Sequence, residues 1–404
     1  MHSPTAPERA WYKLLRMRVL VSTTPAAGHL QPMLPLARAL HRAGHEVAVA
    51  IAPGMCGRVA EEGLVALEAG RDIDSWWPEL EERNPGRPWE KLRPEEILLW
   101  FMPHLFVEVG ARAMVDDLAA HLERWRPDLV VHETYELAAP AVAAAAGIPS
   151  VHHTLSPLPD AAVLDACAAA AAPLWRERDL LPAPLGGLTR GPTLDICPRS
   201  LHNVRGPALD SHPLRPQGAP PSTEPPPPWL DRLAGRPIIH LTLGTAVTSA
   251  NQALLATAVE GVRDLPLSLV VTVGPDNDPA GLGPQPDSVR VERYVRHDLL
   301  LPRCAAVVTH GGAGTMLAAL GCGLPMLTIP QGADQYLNAE ICARRGVGRT
   351  LLTEQVTPTA VREEVGRLLD DPGYRAAASE VAAEIAAMPA ADDVVPALEA
   401  LAAG

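Results

Sequence analysis

Cys304-Ala-Ala-Val-Val-Thr-His-Gly-Gly-Ala-Gly-Thr-Met-Leu-Ala-Ala-Leu320 is the stretch on which the reading of this chain turns. Ala305 to Thr309 is a short apolar run and predicts a buried strand. His310 follows at its end. Gly311, Gly312 and Gly314 predict a turn that side chains would obstruct, and Thr315 to Leu320 the first turns of a helix. Strand, glycine turn and helix N-terminus together aim unpaired backbone N–H groups at one point, where the helix dipole favours an anion. An imidazole beside them can donate to a phosphate oxygen, so the stretch reads as a diphosphate cradle. Taken alone, it reads equally well as a tight turn with a surface histidine. It is not a P-loop, which needs Lys and then Ser/Thr after the glycines, nor a dinucleotide fingerprint, whose G-x-G-x-x-G spacing is absent.

The following residues favour the cradle. Leu324 to Ile329 predicts a second strand, closed by Pro330; Gln331-Gly-Ala-Asp-Gln335 follows, then a helix over Tyr336 to Arg345. Asp334 and Gln335 thus emerge at the carboxyl end of a neighbouring strand, the edge at which open α/β sheets bind ligands. A carboxylate and an amide suit sugar hydroxyls, which both donate and accept.

Tyr294 through Gly348, with its H-G-G-A-G-T element and downstream A-D-Q, resembles the nucleotide-sugar signature of family 1 glycosyltransferases. The likeness is greatest to the bacterial enzymes that glycosylate antibiotics and other natural products. It covers most of the chain from Met17 and is dense here and around residues 17–50. It implies the α/β GT-B fold, two Rossmann-like domains with parallel sheets facing an interdomain cleft.

The 404 residues suit two domains with sizeable cores. A net charge of −13 argues against nucleic acid or an anionic membrane as partner, and 4% aromatic content against base-stacking platforms. The six cysteines form no C-x-x-C pair, so neither a zinc nor a redox site is indicated; they read as small buried residues in a reducing compartment. No apolar run is read as long enough to span a bilayer, and residues 1–16 lack the apolar core of a signal peptide. The expected address is the cytoplasm.

In order, residues 1–16 read as a disordered lead and 17–204 as an acceptor-binding N-terminal domain. It opens with a βαβ unit: strand Arg18–Ser22, helix Leu30–Ala43, strand Glu46–Ile51. Residues 71–105, with their Trp and Pro, read either as an irregular or helical insertion over the cleft mouth or as a surface excursion. Asp128–His132 and Ile148–His152 are strands around an Ala-rich helix, and 160–200 is helical and loop-like. Residues 205–232, with four consecutive prolines at 225–228, read as a stiff linker. A nucleotide-sugar-binding domain follows over 233–373, with strands at Ile238–Leu243, Leu267–Val273 and Val289–Val291. Residues 374–404 are helical, and the resemblance implies that they cross back to the first domain.

Pro25-Ala-Ala-Gly-His29-Leu-Gln-Pro32 follows the first strand. The resemblance makes His29 the general base. A histidine, with an ordinary pKa of about 6.5, can take a proton from a hydroxyl at neutral pH, and a helix N-terminus disfavours its charged form. Without the resemblance, His29 is a helix-capping surface residue. Such a base needs a partner that fixes its tautomer. His132 and Glu133 both end the strand on the same sheet edge; Glu133 is favoured as the carboxylate, and otherwise is an ordinary strand-end charge.

The implied chemistry is a single displacement with inversion. His310, the N–H groups near Gly312 and Gly314, and the Thr315 and Thr245 hydroxyls would hold the departing diphosphate. Such preorganised donors are worth about 3–4 kcal/mol each. By the resemblance, Tyr294 stacks on the pyrimidine and the Val295 backbone pairs with the base edge; Arg296 and His297 replace a common Pro-Gln. Plant relatives carry a ribose-binding Glu three positions after the residue matching Thr315. Here Ala318 stands, which points to a dTDP-sugar over a UDP-sugar. No cofactor beyond this co-substrate and no metal is expected: Asp72-Ile-Asp74 and Asp276-Asn-Asp278 match D-x-D but lie far from the cradle. His152 and His153 read as acceptor-pocket lining or as plain strand-end residues. The partners are a nucleotide-sugar and a hydrophobic aglycone, and a homodimer is compatible with the sequence. The rival readings are a catalytically inactive nucleotide-binding auxiliary protein of the same fold and a nucleotide-sugar epimerase; C-glycosylation stays open.

Overall fold

A computed structural model describes residues 16–216, 225–233, 235–244, 249–275 and 277–403. The first sheet comprises β1 (Arg18–Ser22), β2 (Glu46–Ile51), β3 (Val65–Glu68), β4 (Leu129–Glu133), β5 (Ser150–His153), β6 (Thr193–Asp195) and β7 (Ser211–Pro213). The second comprises β8 (Ile238–Thr242), β9 (Ser268–Thr272), β10 (Val289–Glu292), β11 (Cys304–Thr309), β12 (Met326–Thr328) and β13 (Gly348–Thr350). The strand orders are β3-β2-β1-β4-β5-β6-β7 and β10-β9-β8-β11-β12-β13. Every pairing is parallel, with β1 against β4 in the register Ser22 to His132 and β8 against β11 in the register Thr242 to Thr309. The short apolar runs form these strands because parallel strands are covered on both faces; every residue of β4, β8 and β9 is buried.

Each sheet reverses its winding once, between β1 and β4 in the first and between β8 and β11 in the second. At such a reversal the loops leaving the carboxyl ends part and open a crevice. His29, Glu133, Gly244 and His310 all follow or end these four strands. One apolar cluster fills the N-terminal domain and continues through Met316, Leu320, Ile341, Val381 and Leu398. A second, around Leu255, Val259, Val361 and Val365, covers the other face of the second sheet. The helix Ala391–Ala402 lies against Ala27–Arg42. There Arg42 Nη2 meets both Asp392 oxygens at 2.8 Å, and His45 Nε2 faces Glu399 Oε1 at 3.1 Å.

Two expectations need correction. The stretch 205–232 is not all linker: Ser211–Pro213 is the edge strand of the first sheet, a place that tolerates proline, and Pro228–Arg232 is a helix. Residues 217–224 lie outside the described residues, as does the lead up to residue 15. The 71–105 region takes the helical one of its readings, and its last helix runs on continuously to Trp125. That helix, Glu96–Trp125, is long and apolar enough to cross a membrane by length and composition, against the expectation that no such run exists. Met102, Val107, Met114, Val115, Leu118 and Leu122 on it belong to the N-terminal core. All six cysteines are free thiols.

Candidate active site

The helix after β1 spans Ala27–Arg42, beginning earlier than the sequence suggests, so His29 lies in its first turn. Its cap residue, Ala26, has no side chain that can bond the first N–H groups. His29 Nδ1 is 2.9 Å from Glu133 Oε1. The Glu133 side chain is fully buried. Its Oε1 also accepts from the Thr24 hydroxyl at 3.0 Å and the Thr24 N–H at 3.4 Å, and its Oε2 from the Tyr135 N–H at 2.6 Å. Burial pushes this carboxyl up, but His29 and these hydrogen bonds outweigh it and hold it below the ordinary value. An ionised carboxylate only accepts, so the Nδ1 proton is held on the Glu133 side and the Nε2 lone pair is left free. Phe106 stacks on the imidazole with ring centroids 5.2 Å apart and planes 14° from parallel.

His132 does not reach the base. Its Nδ1 donates to the Glu133 carbonyl at 3.3 Å, its ring stacks on His152, and burial pushes it down to about 4. His152 is held between the Thr134 and Thr193 hydroxyls at 3.0 and 3.2 Å, and His153 donates from Nδ1 to the Thr154 carbonyl. Both are buried, which removes them as walls of an open acceptor pocket.

The cradle residues group at the second sheet's winding reversal. His310 leaves β11, Gly311 takes φ +88°, and Gly312 caps the helix Ala313–Gly321 without a side chain to bond its first turn. The imidazole lies over two glycines. A Cβ on Gly312 would stand 2.5 Å from His310 Nε2, and one on Gly244 would stand 3.0 Å from the ring. Burial pushes His310 down to about 4, so the ring is neutral near pH 7 and keeps one N–H. Thr315 is half-buried in the helix's first turn, and around Gly314 there is open space.

Asp334 precedes the helix Gln335–Arg345. Burial raises its carboxyl, opposed by Asn338 of its own domain and by His29 and Ser156 of the facing one. The two domains' polar groups therefore meet here. Gln335 Oε1 accepts from the Gln331 and Gly332 N–H groups at 2.9 and 3.3 Å, so its oxygen staples its own loop and its amide NH₂ is the end left for a ligand. Tyr294 is 61% exposed, with its ring available to a stacking partner, whereas the Val295 side chain is in the core. Thr245 lies outside the described residues.

Besides Phe106, two polar residues were not anticipated. Asn338 donates from Nδ2 to the Gly311 carbonyl at 2.9 Å and to Asp334 Oδ2 at 3.0 Å, tying the glycine turn to the acidic loop. Glu136 is fully buried; its Oε1 accepts from the Ala138 and Ala139 N–H groups at 2.9 and 3.1 Å, at the start of the helix after β4. A polar residue four places after Asp334 and a carboxylate three after Glu133 were the available signals. Among the described residues, no three His, Cys, Asp or Glu side chains are grouped as a metal site would need. Of the D-x-D acids, Asp72 accepts from the Gly54 N–H at 2.9 Å, Asp278 caps a short turn, and Asp276 is outside the described residues.

Comparison with known proteins fits this geometry. Residues 38–208 match the N-terminal domain, and residues 257–401 the C-terminal domain, of the erythromycin biosynthesis protein CIII-like family. The chain belongs to this family of antibiotic glycosyltransferases. Like other members it is a GT-B enzyme of natural-product biosynthesis. The L-demethylnoviosyl transferase of Streptomyces niveus is 33% identical over 92% of this chain and 95% of its own length. Among solved structures, the glycosyltransferase SnogD from Streptomyces nogalater has a TM-score of 0.75 at 31% identity, covering 96% of this chain and 99% of its own. The glycosyltransferase VinC, solved in complex with dTDP, has a TM-score of 0.76 at 29% identity, covering 96% and 100%.

Proposed function

We propose that this glycosyltransferase moves a deoxysugar from a dTDP-sugar to a hydroxyl of a hydrophobic natural-product aglycone, in the cytoplasm, with inversion and without a metal. The observation that carries this reading is the 2.9 Å pair of His29 and Glu133, with His29 close enough to Asp334 of the other domain to act on its carboxyl. The acceptor O–H proton goes to His29 Nε2. The acceptor oxygen forms its bond to the anomeric carbon as the bond to the diphosphate breaks, and dTDP departs with the electron pair. Glu133 stabilises the imidazolium that results, at a site where its charge is already buried and bonded.

The N–H groups around Gly312 and Gly314, with His310, Thr315 and Thr245, receive the growing diphosphate charge. Tyr294 stacks on thymine beside the Val295 backbone, and Asp334 and the Gln335 amide take the sugar hydroxyls. The apolar side chain of Ala318 suits a ribose without a 2′-hydroxyl, and a similar enzyme has been solved with dTDP. The test uses the purified chain with dTDP-deoxysugars and aglycones bearing phenolic or alcoholic hydroxyls. Product with the inverted anomeric configuration by NMR, formed equally fast in EDTA, and tighter binding of dTDP than UDP are expected. Retention of configuration, loss of activity in EDTA restored by magnesium, or a preference for UDP would overturn the corresponding part.

A further inference from the structure

We propose that Phe106 is a positioning residue for the base, holding the plane of the His29 imidazole so that Nε2 is aimed at the acceptor. The inference rests on the reading of His29 as base. A hydrogen bond from Nδ1 fixes one atom of the ring but leaves its plane free to swing about that contact. A flat partner removes this freedom, and Phe106 supplies one, 14° from parallel at 5.2 Å. Offset stacking of this kind is a favoured arrangement of rings. Tyr135, tilted at 6.1 Å from His29 and 5.8 Å from Phe106, closes the group from the strand side.

Phe106 is itself held. It belongs to the ten-residue π-helical segment Met102–Ala111, a backbone form frequent at functional sites. The wide turn puts Leu105 and Val109 into a small apolar cluster with Trp76 and Leu80. The Trp76 ring is fully buried, meets Phe106 edge-on at 6.0 Å, and donates from Nε1 to the Arg71 carbonyl at 3.0 Å. Gly110 lets the helix close on that ring, since a Cβ there would stand 2.6 Å from Trp76 Cη2. The support therefore runs from Gly110 through Trp76 to Phe106 and the base.

The test compares Phe106→Leu and Phe106→Met, which keep apolar bulk without a flat face, with Phe106→Tyr. Leu and Met should lower kcat about tenfold or more, with the acceptor KM and dTDP affinity within about twofold, because misplacement of a catalytic group by a fraction of an ångström weighs on the transition state. Tyr should restore kcat to within about threefold. In a His29→Ala background, Phe106→Leu should have no further effect, as expected for residues acting as one unit. The contact itself is read by NMR: the His29 ring protons should be shifted upfield in the wild type and move downfield in Phe106→Leu. A rise in acceptor KM with kcat unchanged would make Phe106 an acceptor wall and overturn the proposal, as would unmoved ring protons. Retention of transfer by His29→Ala alone would show instead that the base assignment has failed.

Discussion

Replacing Gly312 with alanine tests the diphosphate cradle at its tightest point. The new Cβ would stand 2.5 Å from His310 Nε2, where ordinary contacts begin at 3.4 Å, so the ring must retreat by about 1 Å. A hydrogen bond of ordinary length stretched by that amount is lost. Hydrogen bonds to charged groups contribute about 1.5–3 kcal/mol, so the Kd for dTDP should rise roughly 10- to 150-fold. Gly321→Ala, at the far end of the same helix, is the control: a Cβ there meets nothing within 4 Å, and the Kd should stay within about twofold. Calorimetric titration reads both. If the displaced ring is the cause, adding His310→Ala to Gly312→Ala should weaken binding little further. A Gly312→Ala protein that folds and binds dTDP as the wild type does would refute the cradle.

Two more predictions concern the carboxylates behind the base. Glu133→Gln presents an amide where the carboxylate accepted the Nδ1 proton, which favours the wrong tautomer of His29; kcat should fall on the order of 10³-fold with dTDP binding unchanged. Glu136 titrates near 7 because burial raises it, with the Glu133 charge adding to the effect. Its folded pKa thus lies above the ordinary value of 4.5, the native state holds the extra proton between the two, and stability falls as pH rises from about 4.5 to about 7. Glu136→Gln should remove this loss, gaining on the wild type by on the order of 3 kcal/mol between pH 4 and pH 8 in denaturant titrations. An unchanged difference at the two pH values would contradict it.

Much of the architecture was legible because parallel strands buried on both faces are written as unbroken apolar runs, as at Leu129–Val131 and Val47–Ile51. The glycine turn was legible for a steric reason, and the structure supplies it at Gly312, where the imidazole leaves no room. Glu133 and His132 could not be separated in sequence, since adjacent strand residues differ only in the face they take. The π-helical segment hid because its period departs from the 3.6 residues that helix reading counts, and with it Phe106 was missed. β7 hid behind proline, which reads as linker until a sheet edge accepts it. Asn338 and Glu136 act through backbone groups distant in sequence or across a turn, and periodicity carries no signal for such bonds.

The most direct measurement is the single-turnover transfer rate of His29→Ala beside its Kd for dTDP, on one preparation. Removing a general base while leaving the diphosphate cradle intact should lower the rate by about 10²–10⁴ with the Kd within twofold. A Kd that worsens in step with the rate, or a rate that survives, would contradict the account.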